Sequence, residues 1–285
     1  MSPEPPLTHL TELDAQLGRS GFAVLEPGSL MRLCGIDRST AEAWQALWDD
    51  LPPDGYLRDG GRYRRRRHGC FEVRPGPGEP SQRVEAMPHR AHWQPVEYNA
   101  LHGGIQRWFE PLHDGLVRHP GWARLLVSLA DVADRLVSRP RAAVELAGEP
   151  AGAPSPVAAN PAGAGQPQAS SATWSIEAHP FRIDTADGIG RPTPEGAHRD
   201  GVDLVVVILV SRVAVKGGET RVFDARGPQG LRFTLAQPWS ALLLDDERVI
   251  HETTPIQPAS TGTIGHRDTL VLTFRRGGFQ GPPGE

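Results

Sequence analysis

The sequence contains only two cysteines and no long apolar segment, and each shortage excludes a class of protein. Cys34 and Cys70 do not have the spacing of a metal-binding or redox motif, so we expect a reduced, cytoplasmic setting. Residues 1–5 lack the basic and apolar regions of a signal peptide. The apolar run of residues 204–210 is far shorter than a membrane span of about 20 residues, so we expect no membrane partner.

A strong net charge is also lacking. The formal net charge of −4 argues against a dedicated nucleic-acid partner. Hydrophobic residues make up 38% of the chain, which is low for a globular protein, partly because residues 148–172 are almost entirely Ala, Gly, Pro and Ser. We predict that this segment is a disordered surface loop within one domain; a linker between two domains is the alternative.

Two histidines and an aspartate form the most informative pattern in the chain. His198 and Asp200 alternate, so on an extended strand both side chains point to the same face. They precede residues 202–210, whose β-branched side chains indicate a buried strand, and His251 follows a second apolar run, residues 241–244. Two strands of a β-barrel would bring the three side chains together as ligands of a non-haem Fe(II) centre, with positions left for a co-substrate and O2.

The His-x-Asp pattern could also arise by chance or belong to a protein kinase. A chance His-x-Asp is not rare among 11 histidines, and His266 and Asp268 form a second one, but no histidine follows it. A protein-kinase catalytic loop requires an Asn five positions after the Asp, where this chain has Val205 or Thr273. The chain also lacks a glycine-rich nucleotide loop and an Asp-Phe-Gly motif, so the kinase interpretation fails.

An arginine late in the chain is a candidate anchor for a carboxylate. Arg267 begins the strand-like run of residues 267–275. Its planar guanidinium can pair with both oxygens of a carboxylate. Arg275 is a reserve candidate, and a solvated surface charge is the alternative interpretation of an arginine on a strand.

Three segments have apolar residues at helical spacing, which predicts helices that pack outside a barrel sheet: residues 39–51, 98–116 and 122–137.

A basic run precedes Phe71, and as a short strand it would place Arg64 and Arg66 on one face. A solvated charge run is the alternative. Gly217 and Gly218 favour a hairpin turn.

Several separated segments resemble the 2-oxoglutarate–Fe(II) dioxygenase family that includes bacterial L-isoleucine 4-hydroxylase and other free amino-acid hydroxylases. Residues 194–201, 217–224, 251–256 and 267–274 carry the resemblance. Residues 62–69 and 97–104 show weaker similarity. It implies a mainly β fold with flanking α-helices and a double-stranded β-helix core, which is a jelly roll of the cupin type. The implied organisation is a single oxygenase domain over residues 1–285, with residues 1–147 as helical and N-terminal strand support and residues 173–280 as the core.

The same resemblance implies a site and a reaction. His198, Asp200 and His251 would bind Fe(II), and Arg267 would bind the distal carboxylate of 2-oxoglutarate, with O2 as the oxidant and ascorbate as the in vitro reductant. Related halogenases replace the carboxylate ligand with Gly or Ala, so the presence of Asp200 favours hydroxylation. No catalytic residue beyond the metal ligands is implied.

The expected small-molecule partner is a free aliphatic or cyclic L-amino acid. The candidate substrate contacts are Arg64, Arg66, Arg107 and Thr220. The alternatives are an oxygenase acting on a protein or carrier-bound residue and a non-catalytic jelly-roll binding protein. The sequence does not fix the oligomeric state.

Overall fold

The computed structural model describes residues 3–139 and 172–284 of the chain. The N-terminal part combines helices with short strands. Its helices are α1 (Leu13–Ser20), α2 (Pro27–Cys34), α3 (Arg38–Gln45), α4 (Pro80–Arg83), α5 (Asp114–Val117) and α6 (Pro120–Val137), with 3-10 turns at Leu10–Glu12 and Ala46–Asp50. Its strands are β1 (Phe22–Leu25), β2 (Arg64–Arg66), β3 (Gly69–Val73) and β4 (Val84–Ala86).

The C-terminal part consists mainly of strands. They are β5 (Trp174–Asp184), β6 (Leu204–Val213), β7 (Val215–Gly217), β8 (Thr220–Asp224), β9 (Gly230–Phe233), β10 (Ala241–Asp245), β11 (Val249–Thr253), β12 (Ile256–Pro258) and β13 (His266–Arg276). The larger sheet has the antiparallel order β1-β10-β6-β13-β5-β3-β4, and β2 also pairs with β5. A smaller sheet has the order β11-β8-β9, and β12 pairs with β7. The predicted jelly-roll core with flanking helices is confirmed.

The alternation of side chains on the larger sheet separates two environments. On β13, Leu270 and Leu272 are fully buried in the core that includes the helices, whereas Arg267 and Thr269 line an internal cavity. Alternate side chains of a strand point to opposite faces, so one face of this sheet packs against helices and the other forms the cavity wall. Arg267 and Thr269 therefore lie on the inner face, because their side chains point to the opposite side of the strand from Leu270 and Leu272.

Helix α6 packs on the outer face of the larger sheet, and it matches the prediction for residues 122–137. Its Leu125 and Leu129 are fully buried in one cluster with side chains of β6 and β13. Trp122 meets Trp44 of α3 edge to face, with ring centroids 6.2 Å apart. Helix α3 and the following 3-10 turn cover most of the predicted helix over residues 39–51.

The helix predicted over residues 98–116 is wrong for most of its length. The segment consists of turns, and only α5 at its end is helical. Arg107 instead forms an antiparallel bridge with His92, with backbone N–O distances of 2.9 Å in both directions. The predicted helix is also interrupted by a tight turn at Gly103, where a Cβ would lie 2.4 Å from the Asn99 carbonyl oxygen. Apolar spacing alone does not reveal these turns.

The predicted hairpin turn at Gly217 and Gly218 is also wrong. Strand β7 pairs with β12 and β8 pairs with β11, so the chain crosses between strand pairs at this point. Both glycines have positive φ values, 79° and 66°. A Cβ on Gly217 would lie 2.3 Å from the Pro255 carbonyl oxygen, so close backbone approach explains the glycine.

The loop predicted over residues 148–172 lies, apart from Ala172, outside the described residues. Its disorder and the single-domain organisation stay predictions. Among residues 3–139 and 172–284, no helix is both long and apolar enough to cross a membrane.

Candidate functional site

The three predicted metal ligands come together at one end of the cavity. His198 and His251 face each other in an antiparallel bridge, with backbone N–O distances of 3.0 and 2.9 Å. Asp200 Oδ1 lies 3.8 Å from His198 Nε2, and Asp200 Oδ2 lies 4.0 Å from His251 Nε2. The ligand atoms of all three residues lie within 4.8 Å of one another, so they can converge on one ion. Two imidazoles and one carboxylate suit Fe(II) and leave open positions.

Hydrogen bonding and charge prepare His198 for this role. His198 Nδ1 lies 2.9 Å from the Gly196 carbonyl oxygen, which can only accept, so Nδ1 carries the proton and Nε2 keeps its lone pair. Burial lowers the pKa of His198, but the carboxylates of Asp200 and Glu195 outweigh it and raise that pKa. Burial, followed by the nearby His198, holds the pKa of His251 well below its usual range. The donor set therefore fits a divalent metal.

The backbone that carries Asp200 is held by a second aspartate. Asp246 accepts the backbone N–H groups of Asp200, Gly201 and Val202 at distances of 2.7 to 3.1 Å. Burial, then the charge of Asp200, raises the pKa of Asp246 to about 7. Gly201 has a φ of 75°, and a Cβ there would lie 2.4 Å from the Tyr98 ring. The turn after Asp200 therefore requires both the Asp246 acceptor and a glycine.

Gln94 connects this metal ligand to a buried arginine. Its Nε2 donates to Asp200 Oδ1 at 3.0 Å, and its Oε1 accepts from Asn99 Nδ2 at 3.1 Å and Arg107 Nη2 at 3.0 Å. The two donors fix the amide orientation, because an amide nitrogen cannot accept from them. Gln94 thus occupies one carboxylate oxygen of Asp200 and leaves Oδ2 to a metal.

We expect Gln94→Leu to weaken Fe(II) binding or activity by roughly 10- to 100-fold, because removal of an outer-shell partner typically costs that much. The substitution removes the donor to Asp200 and leaves Arg107 without its acceptor. Metal titration and succinate formation would measure the effect. Gln16→Leu on α1, where the amide contacts only the same helix, is the matched control. Equal behaviour of the two variants would contradict the positioning role of Gln94.

Arg267, the predicted co-substrate anchor, lines the same cavity and is 3% exposed. Its Nε and Nη2 atoms are buried and have no hydrogen-bond partner among the residues described. Burial, then the neighbouring Arg212, lowers the pKa of Arg267 to about 10. A buried guanidinium with free N–H groups fits a carboxylate such as the distal group of 2-oxoglutarate. The reserve candidate Arg275 also lines the cavity, but its Nη1 donates to the Gly278 carbonyl at 2.6 Å.

The candidate substrate arginines form a second cationic set, which we call the arginine set: Arg64, Arg66 and Arg107. All three line the cavity and are 2 to 5% exposed. Each retains one buried guanidinium nitrogen without a partner in the described part of the chain. On β2 the exposed Arg65 alternates with the buried Arg64 and Arg66, as expected for a strand. Thr220, the fourth candidate, is buried on β8 and is not among the residues that line the cavity.

Aromatic and acidic groups hold the arginine set in place. Arg64 Nε donates to Asp54 Oδ2 at 2.7 Å. The Arg66 guanidinium lies between two rings, 3.9 Å from the Phe109 centroid and 4.3 Å from the Phe181 centroid. These contacts fix the direction of the guanidinium groups without using all their donors.

A second buried group of potential metal ligands consists of His68, His92, Glu177 and His179, and all of them except His68 line the cavity. Glu177 Oε2 lies 3.2 Å from His68 Nε2, 2.5 Å from His92 Nδ1 and 3.4 Å from His179 Nε2. Arg66 Nη2 lies 2.6 Å from His179 Nδ1 and can only donate, so this nitrogen accepts and His179 Nε2 carries the proton. That proton points to Glu177, and the group is a hydrogen-bonded network rather than a metal centre.

The electrostatics of this network agree with neutral imidazoles. Burial lowers the pKa of His92 to about 3 and holds that of His179 well below its usual range. Burial alone would raise the pKa of Glu177, but His92 and the N–H groups of the three histidines hold it well below its usual value. Glu177 is therefore an ionised carboxylate beneath the arginine set.

Several residues of this cavity were not predicted from the sequence. They are His92, Gln94, Asn99, Glu177, His179 and Glu195. One signal was available for two of them. Along β5, Glu177 and His179 alternate with apolar residues, which indicates a polar inner face. Gln94 and Glu195 lie outside regular strands and carry no such signal.

Comparison with known proteins decides the family. A family model described as 2OG-Fe dioxygenase matches residues 45–273, which is most of the chain. The chain belongs to the 2OG-Fe dioxygenase family. The family implies Fe(II), 2-oxoglutarate and O2, and the candidate His-Asp-His site and the free N–H groups of Arg267 fit them.

Solved structures of similar proteins support the fold of this 2OG-Fe dioxygenase. A bsmA homolog from Methylobium petroleophilum is 45% identical, with 99% of each chain covered and a TM-score of 0.79. IDO from Bacillus thuringiensis is 14% identical, with 98% of this chain and 100% of that chain covered and a TM-score of 0.67. The Fe(II)/(alpha)ketoglutarate-dependent dioxygenase TqaL is 19% identical, covering 94% and 87% of the two chains, with a TM-score of 0.62. No curated protein matches the sequence.

Proposed function

We propose that this protein is an Fe(II)- and 2-oxoglutarate-dependent dioxygenase that hydroxylates an aliphatic C–H bond of a free L-amino acid. Family membership supports the cofactor and the co-substrate. The observation that supports the substrate class is the arginine set, which provides a second anion site in a cavity that already contains Arg267. A free amino acid has an α-carboxylate that such a site would bind, and an aliphatic residue within a protein chain does not.

The unpartnered N–H groups of the arginine set favour a further acceptor. Asp54, Glu177 and Glu195 all act on Arg107, so the net charge alone does not call for an anion. Arg107 donates to Gln94, which is neutral. Each guanidinium still has one buried nitrogen without a partner among the described residues, and an unpartnered buried donor is costly, so a substrate carboxylate that accepts from these groups would be stabilising.

Apolar side chains of the cavity suit an aliphatic substrate. Val207 and Val271 line it on adjacent strands of the larger sheet. When bound, iron and 2-oxoglutarate supply the oxidising chemistry. The role of the protein is to hold the substrate carboxylate, to direct one C–H bond and to exclude water around the bound substrate.

The test is succinate formation from 2-oxoglutarate with Fe(II) and ascorbate, measured across free L-amino acids that include cyclic ones. Each amino acid is paired with its carboxamide, which keeps the side chain and removes the carboxylate charge. We expect succinate with one amino acid and a product heavier by one oxygen atom, and little turnover of the matching amide.

The other outcomes separate the remaining functions. Binding of 2-oxoglutarate without stimulation by any amino acid would contradict the free-substrate proposal and favour a carrier-bound or protein substrate. Equal turnover of acid and amide would remove the role of the arginine set. Failure to bind either iron or 2-oxoglutarate would favour a non-catalytic jelly-roll protein.

A further inference from the structure

Glu195 is the cavity carboxylate that neither the metal site nor the arginine set accounts for. It lines the cavity, and 11% of its side chain is exposed. Its Oε2 is buried and has no hydrogen-bond partner within residues 3–139 and 172–284. Its Oε1 lies 3.5 Å from His198 Nε2. A buried carboxylate oxygen without a donor is costly, so the site is incomplete without a further group.

Glu195 lines the same cavity as the candidate metal ligands and the arginine set. Its Oε1 lies 3.5 Å from His198 Nε2, beside the candidate metal ligands. Burial and Arg64 lower the pKa of Arg107 to about 10, and Glu195 is among the carboxylates that oppose this effect. A ligand in this cavity that binds to the arginine set can therefore also contact Glu195.

We propose that Glu195 binds the ammonium group of the substrate while the arginine set binds its carboxylate. This inference rests on the proposed function and assigns the second charged group of an α-amino acid. The ammonium group of an amino acid has two or three N–H donors and a positive charge, which match a buried carboxylate with a free oxygen. An N-acylated or peptide-bound residue lacks that charge and would be rejected, because Glu195 would remain unpaired.

Other occupants fit this position less well. 2-Oxoglutarate carries only negative charges at neutral pH, and a carboxylate would repel it. Glu195 also does not belong to the group of metal ligands, whose atoms converge at His198, Asp200 and His251. A neutral hydroxyl donor would satisfy the hydrogen bond but would bring no positive charge to offset an added substrate carboxylate.

The test measures binding to protein loaded with Mn(II) and 2-oxoglutarate by calorimetry, together with succinate formation in the Fe(II) enzyme. The probes are L-leucine, L-isoleucine, L-methionine and L-proline. Each is accompanied by the carboxylic acid that lacks the amino group, such as 4-methylpentanoate for leucine, and by its N-acetyl derivative. The variant is Glu195→Gln, which keeps the shape and removes the charge. The control is Glu219→Gln, whose side chain pairs with Arg221 and does not line the cavity.

We expect the wild type to bind an amino acid in preference to its counterpart without the amino group. In Glu195→Gln this preference should fall by roughly 10- to 100-fold, the range for loss of one charged hydrogen bond. Mn(II) stoichiometry and the affinity for 2-oxoglutarate should not change. Glu219→Gln should behave like the wild type.

Three results would overturn the inference. If the wild type discriminates and Glu195→Gln keeps the full preference, Glu195 is not the ammonium site, although the proposed function stands. If Glu195→Gln loses Mn(II), Glu195 serves the metal instead. If the wild type binds none of the free amino acids, or binds them no better than the counterparts without the amino group, the proposed substrate class fails and this assignment fails with it.

Discussion

Asp200→Asn is expected to abolish iron-dependent succinate formation while the protein remains folded. The substitution is isosteric but removes the negative ligand, whose Oδ2 lies 4.0 Å from His251 Nε2. Loss of a direct ligand should exceed the roughly 10- to 100-fold effect of losing an outer-shell partner. The amide also removes a buried charge that lies beside Asp246, so the metal-free fold should not be weakened. Metal stoichiometry, succinate formation and Tm of the metal-free protein measure the three effects.

Asp203→Asn is the matched control for this experiment. Asp203 is a neighbouring aspartate that pairs with Arg276 and does not line the cavity. Its loss should leave metal binding intact and lower stability by about 1 kcal/mol or less, as for a partly exposed ion pair. An Asp200→Asn protein that binds one metal ion normally and retains full turnover would refute the candidate iron site.

The main strands and the grouping of the candidate metal ligands could be predicted because their signals are local. The β-branched run of residues 202–210 predicts a buried strand, and all of it but the first two residues lies in β6. The alternation of His198 and Asp200 predicts a shared face, and the bridge to His251 places all three together. The position of Arg267 at the start of a strand-like run predicts a carboxylate anchor, and Arg267 lies on the inner face of β13.

The supporting residues could not be predicted because their roles depend on contacts between distant segments. Gln94 donates to Asp200, which lies 106 positions further along the chain, and no local sequence pattern predicts that contact. His179 accepts from Arg66 across 113 positions, and that bond decides which imidazole nitrogen faces Glu177. The same limit applies to Gly217. A glycine is needed there because the backbone passes close to the Pro255 carbonyl oxygen, and not because of a hairpin turn. Local spacing predicted which side chains share the candidate site, whereas contacts between distant segments determine which residues surround them.

The buried guanidinium groups of the cavity belong to different strands, and this placement has a consequence for the proposed function. Arg267 belongs to the wall formed by β13, whereas Arg64 and Arg66 belong to β2, which pairs with the other side of β5. Arg107 contacts Gln94, which also contacts Asp200. Under the proposed function, the co-substrate and the substrate carboxylate would therefore bind to different guanidinium groups. Substitutions at the two sites should affect the two concentration dependences separately.

Arg267→Met is expected to raise the 2-oxoglutarate concentration needed for half-maximal succinate formation. Loss of a buried charged pair costs about 2–5 kcal/mol, which corresponds to roughly 30- to 3,000-fold in affinity. Turnover should recover in part at high 2-oxoglutarate, and metal binding should not change, because Arg267 is not among the converging ligand atoms. Arg212→Met is the control, since Arg212 is the cross-strand neighbour of Arg267 and does not line the cavity.

Arg275→Met distinguishes the two candidate arginine anchors for the co-substrate. Arg275 already donates to the Gly278 carbonyl, whereas two nitrogens of Arg267 have no partner among the described residues. A guanidinium with free donors gains more from a carboxylate than one whose donor is engaged, because no existing hydrogen bond must be broken. We therefore expect Arg275→Met to change the 2-oxoglutarate requirement far less than Arg267→Met. The reverse order would move the anchor to Arg275, and an unchanged requirement in both variants would place the distal carboxylate elsewhere in the cavity.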